Sequence, residues 1–301
     1  MSRVRAFLLS FLLSAGIIIP LLGCVVLMQG KRMKAKQQEE VEAGNAVQGV
    51  PIALATPDDH IACLAVIETD TEPIFLLVGL DAVENRVSVL GFPAQTVVLS
   101  PQGSSTLKDE CVQAGPGRAT QLLGETLQLE IPYYLSVDAA TLASAAADWQ
   151  AVTVNLSGYD IDGVNAQVGK APVCMLVAEQ ATSLLDEWKL ENAARSDMLA
   201  NMMGEFLFSA ILNQPTAVAD ALRDCSSKML TTLTSQEFLK IDRICGLMNK
   251  TEPEFLPQRL AGSMNRQRFE LNEESVALVQ EQFEKYKRAD TAETEQSPQS
   301  E

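Results

Sequence analysis

Two short apolar runs separated by a few polar residues constrain the fold of this chain more than any other feature. The runs cover residues 74–80 and 87–92, and the connection between them carries Asp81, Glu84, Asn85 and Arg86. This pattern predicts two adjacent antiparallel strands joined by a tight reversal. Both runs are too apolar for a ribbon with one face in water, so we expect other elements to cover both faces.

Strand and helix patterns alternate along the rest of the body. Strands are predicted at residues 61–68 and 151–156, and a further apolar run covers residues 171–178. Pro116 stands where a proline begins a helix, and the segment after it carries Leu122, Leu123 and Leu127. This alternation predicts an α/β fold in which a mixed central sheet is flanked by helices.

The carboxyl-terminal half of the chain is predicted to be mainly helical. Residues 184–212 place apolar side chains at three- and four-residue intervals, which predicts one helix or two helices divided near Asn192. Further helices are predicted at residues 217–233, 235–249 and 273–287, the last with Asn272 as its cap.

The amino end is a separate feature. Residues 6–29 form a run of 24 residues without a charge, long enough to span the hydrocarbon layer as an uncleaved helical anchor. Two alternatives remain open. The first is a lipoprotein signal, because residues 21–24, Leu-Leu-Gly-Cys, fit a lipobox, although the chain stays apolar through Met28. The second is a cleaved secretory signal peptide, although such a peptide normally has a shorter apolar region.

These patterns divide the chain into four parts. We expect an anchor at residues 1–29, a juxtamembrane stalk at 30–59, a globular domain at 60–287 and a disordered polar tail at 288–301.

The basic residues around the anchor argue for a cytoplasmic body, because two precede the span and four follow it: Arg3 and Arg5, then Lys31, Arg32, Lys34 and Lys36.

Charge and cysteine content exclude some roles. The formal net charge of −16 argues against nucleic acid and anionic lipid surfaces as partners, because both require clustered basic side chains. Five cysteines lie outside the span: Cys63, Cys111, Cys174, Cys225 and Cys245. Because this number is odd, at most two disulfides can form among them. Cys63 and Cys174 lie in apolar runs, where a reduced, buried thiol is expected.

Common catalytic motifs fail on inspection. Residues 163–170 imitate a phosphate loop, but the two glycines are separated by five residues where four are needed. His60 is the only histidine, and it has no Asp or Cys beside it to suggest a triad or a zinc site. We assign no catalytic residue from these patterns.

Four segments in fixed order carry a resemblance to a known family. They are Pro93-Ala94-Gln95-Thr96, then Thr106-Leu107-Lys108, then Ala114-Gly115-Pro116, and a strand-like segment at residues 131–138 that ends in Asp138. In order and spacing they resemble the LytR-CpsA-Psr (LCP) family of bacterial cell-envelope proteins, over residues 61–156 and more loosely as far as Phe283. The family has Pro-Arg-Asp-Thr, Lys-Leu-Asn and Gly-Gly-Pro at the first three segments.

The resemblance implies an extracellular α-β-α domain on a single-pass anchor in the bacterial cell membrane, against the charge rule. It also implies a chemistry. Family members hold a polyprenyl pyrophosphate carrier in an apolar tunnel and transfer its glycan polymer to the cell wall. Arginines and a divalent metal handle the pyrophosphate, because the leaving group develops charge that fixed cations must stabilise.

Carried over residue by residue, the family pattern loses its cations here. The acidic metal-ligand position falls on Glu72, but the arginine before it falls on Asp70. The later Arg-Asp pair is Ala94-Gln95, and a downstream arginine falls on Met202-Met203. Paired arginines expected at residues 176–180 are absent, so cations are lost at four places in the pattern. Arginine's bidentate grip on phosphate has no ordinary substitute.

Four candidate site residues remain. Lys108 and Arg118 are the candidate phosphate ligands, with the alternative that both are ordinary solvated residues. Glu72 paired with Asp70 is the candidate metal site, which would hold Mg²⁺ if the protein is active. An acidic pair of this kind is also typical of a plain loop.

Two hypotheses follow from the resemblance. The first is a degenerate, non-catalytic binding or scaffolding protein of the cell envelope, with an apolar cavity for a polyprenyl lipid or for another envelope protein. The second is an active, metal-dependent phosphotransferase whose phosphate ligands come from elsewhere in the chain. A third possibility is a related fold with an unrelated extracellular ligand.

Overall fold

The computed structural model describes residues 54–101, 103–155, 173–178 and 192–288. Its central sheet has six strands: β1 (His60–Glu68), β2 (Ile74–Asp81), β3 (Arg86–Phe92), β6 (Tyr133–Asp138), β9 (Leu230–Thr231) and β10 (Glu254–Phe255). Their spatial order is β10-β3-β2-β1-β6-β9. The β1/β6 and β3/β10 pairs are parallel and the other three are antiparallel, so the sheet is mixed as expected.

In the part of the chain that the structure describes, three two-stranded sheets lie outside the central one. They pair β4 (Val97–Ser100) with β5 (Gly103–Thr106), β7 (Val152–Asn155) with β8 (Val173–Leu176), and β11 (Gly262–Asn265) with β12 (Arg268–Leu271). Within the described ranges, seven α-helices accompany the strands: α1 (Leu107–Ala114), α2 (Pro116–Leu127), α3 (Ala139–Ala145), α4 (Asn192–Asn213), α5 (Ala217–Cys225), α6 (Ser235–Met248) and α7 (Glu273–Gln282).

The predicted hairpin is confirmed. β2 and β3 are antiparallel neighbours in a register that pairs Phe75 with Phe92 and Leu80 with Val87. Asp81 closes the reversal, because its Oδ1 accepts hydrogen bonds from the backbone amides of Val83 at 2.8 Å and Glu84 at 2.9 Å.

Alternate apolar side chains of β1 and β2 belong to two apolar cores on opposite faces of the sheet. Ile67 and Leu76 pack on one face with residues of α4, α5 and α6. Leu64 and Leu77 pack on the other face with α2 and with Val279 of α7. Because successive strand residues point to opposite faces, this arrangement confirms the expectation that helices cover both sides.

Two predicted helix starts are confirmed by local chemistry. Pro116 opens α2 after Gly115, whose φ of 82° is readily adopted only by glycine. Asn272 caps α7 by accepting a hydrogen bond from the amide of Ser275 at 2.8 Å. The α-helix ends at Gln282, and a 3₁₀ turn at Glu284–Tyr286 follows where a helix through residue 287 was expected.

The helix predicted at residues 217–233 is wrong over its second half. α5 ends at Cys225, and residues 230–231 form strand β9 beside β6. The Thr231 hydroxyl donates to the carbonyl oxygen of Tyr134 at 2.7 Å. The open backbone of β6 therefore gains a partner that a helix could not provide.

Several expectations fall on undescribed parts of the chain. The proposed anchor at residues 6–29 and the start of the helix predicted from residue 184 lie outside the described residues. Within the described ranges, no helix is both long and apolar enough to cross a membrane. Four of the cysteines are free thiols: Cys63, Cys111, Cys225 and Cys245.

Candidate functional site

The carboxyl ends of three strands meet at one edge of the central sheet. β1 and β6 are parallel and end side by side, with Glu68 opposite Asp138. β3 ends at Phe92, which lies opposite Phe75 near the start of β2. The loop at residues 69–73 and the turn at residues 93–96 therefore lie at the same edge, which is where α/β sheets commonly bind ligands.

Glu72 is the centre of this edge. Its Oε1 lies 2.7 Å from Nζ of Lys108. Its Oε2 accepts a hydrogen bond from Nε2 of Gln95 at 2.6 Å. Two candidate residues, Glu72 and Lys108, are thus brought together, and a residue of the altered motif, Gln95, completes the cluster.

Backbone contacts hold Lys108 in place. The amides of Leu107 and Lys108, the first two residues of α1, donate to the carbonyl oxygens of Thr96 at 3.0 Å and Ala94 at 2.9 Å. The Thr106 hydroxyl caps α1 by accepting from the amide of Asp109. The turn after β3 and the start of α1 are therefore one unit, and Gln95 and Lys108 reach Glu72 from it.

Glu72 stays ionised in this setting. Its partial burial by itself raises the carboxyl pKa, but hydrogen bonds from Lys108 and Gln95 and the positive charges of Lys108 and Arg195 outweigh that effect. The pKa of Glu72 therefore lies below its usual value.

Arg195 is a cation at this edge that the sequence reasoning missed. It lies in the first turn of α4, is only 8% exposed, and donates to the hydroxyls of Thr69 at 3.3 Å and of Thr71. The family pattern placed an arginine at Met202-Met203, about two turns further along the same helix. One signal was available, because Arg195 is the only basic residue in the sequence of α4.

The structure does not bring the other two candidates into this cluster. Asp70 is exposed, and within the described ranges its carboxylate forms no hydrogen bond or ion pair. Arg118 lies on α2, where it donates to Gln121 at 3.0 Å and lies 3.7 Å from Glu110. In the part of the chain described, no three His, Cys, Asp or Glu side chains are grouped as a metal site requires.

An apolar cavity of about 130 Å³ lies behind this edge. Its walls are β1, β2 and β6 on one side and α3, α4, α5 and α6 on the other, and every lining side chain is apolar. Helix α4 joins the two features, because Arg195 lies in its first turn while Leu199, Met202 and Met203 line the cavity.

Comparison with family models gives no match to the sequence. Comparison with curated proteins gives none either. Comparison with solved structures gives clear matches. TagT, in a structure with bound LI-WTA, is 14% identical with a TM-score of 0.57, covering 79% of this chain and 95% of TagT.

Two other matches have similar values. Bacillus subtilis TagV is 14% identical with a TM-score of 0.56, over 76% of this chain and 98% of TagV. The Lin1025 protein of Listeria innocua is 15% identical with a TM-score of 0.53, over 76% and 98% of the two chains. Identities this low establish the fold alone. TagT and TagV are LCP-family proteins, so the resemblance found in the sequence is confirmed, and the chain has the fold expected of a divergent LCP-like protein.

Proposed function

We propose that this protein is a non-catalytic LCP-like component of the bacterial cell envelope that binds a polyprenyl chain in its apolar cavity. In this proposal residues 6–29 anchor it in the cytoplasmic membrane and the body lies outside. The observation that carries the proposal is the all-apolar cavity next to an edge whose acidic residue, Glu72, already has protein partners. The neighbours of this fold are cell-wall glycopolymer transferases, which supports an envelope role.

The cavity has the right chemistry for a hydrocarbon chain. Burying apolar ligand surface there is favourable, at about 25 cal/mol per Å². Its volume of about 130 Å³ resembles that of cavities of about 150 Å³ that hold a benzene molecule in other proteins. A cavity of this volume fits a short chain segment, and a longer one requires the lining helices to move apart.

The positions where the family pattern has arginines carry no cation here. Ala94 is only 3% exposed and carries no charge, and Met202 and Met203 face the cavity where the family pattern expects an arginine. Each charge-assisted contact to a pyrophosphate contributes roughly 1.5–3 kcal/mol. Losing several of them slows transfer by several powers of ten, since each tenfold in rate corresponds to about 1.4 kcal/mol.

Lipid capture tests the binding role. The full-length protein, purified in detergent, should retain polyprenyl phosphate by mass spectrometry. Ala143→Phe fills the cavity from α3 and should weaken this binding at least about tenfold. Ala147→Phe is the matched control, because Ala147 is exposed and does not line the cavity. Equal binding by both variants would contradict the proposal.

An activity assay tests the non-catalytic part. We expect no detectable transfer or pyrophosphate hydrolysis with Mg²⁺ or Mn²⁺. Ala94→Arg together with Gln95→Asp should restore little, because Ala94 is buried and the positions of Asp70 and Met202 remain uncharged or acidic.

Arg195 favours the active transferase as the second candidate. It supplies a cation from a position outside the family pattern, and its charge acts on Glu72. Metal-dependent turnover by the unmodified protein that is lost in Glu72→Ala, Arg195→Ala or Arg118→Ala would establish that alternative.

A further inference from the structure

The fold family implies a divalent metal at this edge, but the donor atoms do not fit one. Mg²⁺ requires oxygen ligands in nearly octahedral geometry. Both oxygens of Glu72 already accept hydrogen bonds, from Lys108 at 2.7 Å and from Gln95 at 2.6 Å. A metal on Glu72 would have to use the lone pairs that these hydrogen bonds leave, directly beside the Lys108 ammonium.

Gln95 cannot join Glu72 as a second ligand in this arrangement. Its amide presents N–H to the carboxylate, and the opposite orientation would place an amide oxygen against a carboxylate oxygen. The remaining amide oxygen, Oε1, lies on the other side of the amide carbon, where it is buried and has no hydrogen-bond partner in the described ranges. Gln95 therefore acts as a donor to Glu72.

Charge also opposes a metal here. A divalent cation on Glu72 would lie beside the Lys108 ammonium and within the field of Arg195. Like charges this close repel strongly in a partly buried site. The Lys108 ammonium already balances the negative charge of the Glu72 carboxylate.

We propose that the Lys108 ammonium replaces the divalent cation, so that the site binds the phosphate of a lipid ligand without any metal. This rests on the proposed function. One N–H of the ammonium bonds Glu72, which leaves two N–H groups for ligand oxygens. The Lys108 side chain is 39% exposed, so a phosphate can reach it. Glu72 and the α1 backbone contacts fix its position.

Mn²⁺ titration by calorimetry and electron paramagnetic resonance tests the replacement directly. The full-length protein and Glu72→Gln should bind Mn²⁺ identically, because Glu72 holds no metal. The double variant Gln95→Asp/Lys108→Met gives the site two carboxylates and no ammonium. It should gain a Mn²⁺ site at least about tenfold tighter than background, and Glu72→Gln in that variant should remove it.

Lys285→Met is the matched control for the lysine change. Lys285 forms a comparable, partly buried pair with Asp81 at 2.5 Å, at the opposite end of β2 from this edge. Freeing that carboxylate should create no Mn²⁺ site. Mn²⁺ binding by the unmodified protein that Glu72→Gln abolishes would overturn the proposal, whether or not the double variant folds.

Ligand binding supplies the second test. Binding of polyprenyl phosphate should be equal in EDTA and in Mg²⁺, and Lys108→Met should weaken it about tenfold under both conditions. The affinity for inorganic pyrophosphate alone is measured for comparison. Binding as tight as that of the lipid would indicate a free phosphate as the ligand, and much weaker binding would indicate a lipid headgroup. Loss of binding in EDTA would refute the inference. Absence of lipid binding under every condition would refute the proposed function, while the Mn²⁺ titration would still decide the role of Lys108.

Discussion

At the scale of single residues, Gln95 of the altered motif suits its neighbours Glu72 and Lys108 chemically. An aspartate at the position of Gln95 would place a second negative charge against Glu72, and the glutamine gives a donor instead. Lys108 supplies the balancing charge from α1. Gln95 and Lys108 both lower the pKa of Glu72, so changing either side chain should raise that pKa.

Gln95→Glu tests this coupling. The variant loses a donor to Glu72 and opposes two carboxylates, so we expect a loss of about 1–2 kcal/mol in the free energy of unfolding at pH 7.5. Repulsion raises the pKa values of the carboxylate pair, so the folded variant binds protons more readily and the loss should shrink at pH 5. Urea unfolding at both pH values measures it. Gln236→Glu, at an exposed position on α6, should change little, and an equal loss at both pH values would contradict the coupling.

At the scale of elements, the close approach of α4 to the sheet sets the geometry of the site. A Cβ added to Gly91 of β3 would lie 2.1 Å from the backbone oxygen of Ser196, next to Arg195. A Cβ on Gly204 would lie 1.9 Å from the Phe255 ring, on the neighbouring strand β10. Glycine at both contacts lets α4 approach the sheet and brings Arg195 to the edge.

Gly91→Ala should therefore destabilise the protein severely, by about 3 kcal/mol, because the obstacle is backbone and cannot rotate away. Gly79→Ala on β2 is the matched comparison, since its added Cβ meets only the Phe283 side chain, at 2.8 Å. We expect a loss of about 1 kcal/mol or less there. Thermal and urea unfolding of both variants measure the difference, and equal losses would show that α4 can shift.

A second element-scale contact joins the start of β1 to α6. Arg243 donates to both carboxylate oxygens of the buried Asp59, at 2.8 and 3.0 Å. This interaction lowers the pKa of Asp59 to about 2 from its usual 3.8, despite the opposing effect of burial. The folded state therefore gains stability above about pH 3.8, and that gain disappears as the pH falls through about 2.

Asp59→Asn should remove this contribution at every pH. The difference in unfolding free energy between the unmodified protein and the variant should be widest near pH 7 and should close towards pH 2. Urea unfolding across this range measures it. Asp220→Asn breaks the exposed pair with Arg223 and should have little effect. A gap for Asp59→Asn that does not change with pH would rule out titration as its cause.

At the scale of the whole molecule, one sheet supports two cores with different properties. The core on the α4 side contains the apolar cavity, and the other core packs α2 and α7 against the sheet. Ligand binding in the cavity would therefore act on α4 and on the Arg195 that it carries. Helix α4 therefore contributes both to the polar edge, through Arg195, and to the wall of the cavity, through Leu199 and Met202.

The location of the body is a prediction at this scale. We expect protease added to intact cells to digest the domain at residues 60–287, because the proposed function places this domain outside the membrane, with residues 6–29 as its anchor. Immunoblotting against an epitope at the carboxyl terminus measures this. Protection until the cells are lysed would reverse the orientation, in agreement with the basic residues that follow the anchor.

The sequence by itself determined the features that arise from local patterns. The hairpin of β2 and β3, the start of α2 at Pro116 and the Asn272 cap depend on residues within a few positions of each other. Side-chain period, proline geometry and capping act over that range, so they can be read from the chain. The segment order that resembles the LCP family pointed to the fold as a whole.

Only the tertiary structure decided which residues meet at the site. Arg195 contacts Thr71 across 124 positions of sequence, and Lys108 reaches Glu72 across 36. The end of α5 and the formation of β9 likewise depend on the open edge of β6. Such contacts are set by how strands and helices pack, and a local pattern contains no information about a partner that far along the chain. The motif comparison could therefore identify the lost arginines, but it could not identify Arg195 or the Lys108 pair with Glu72.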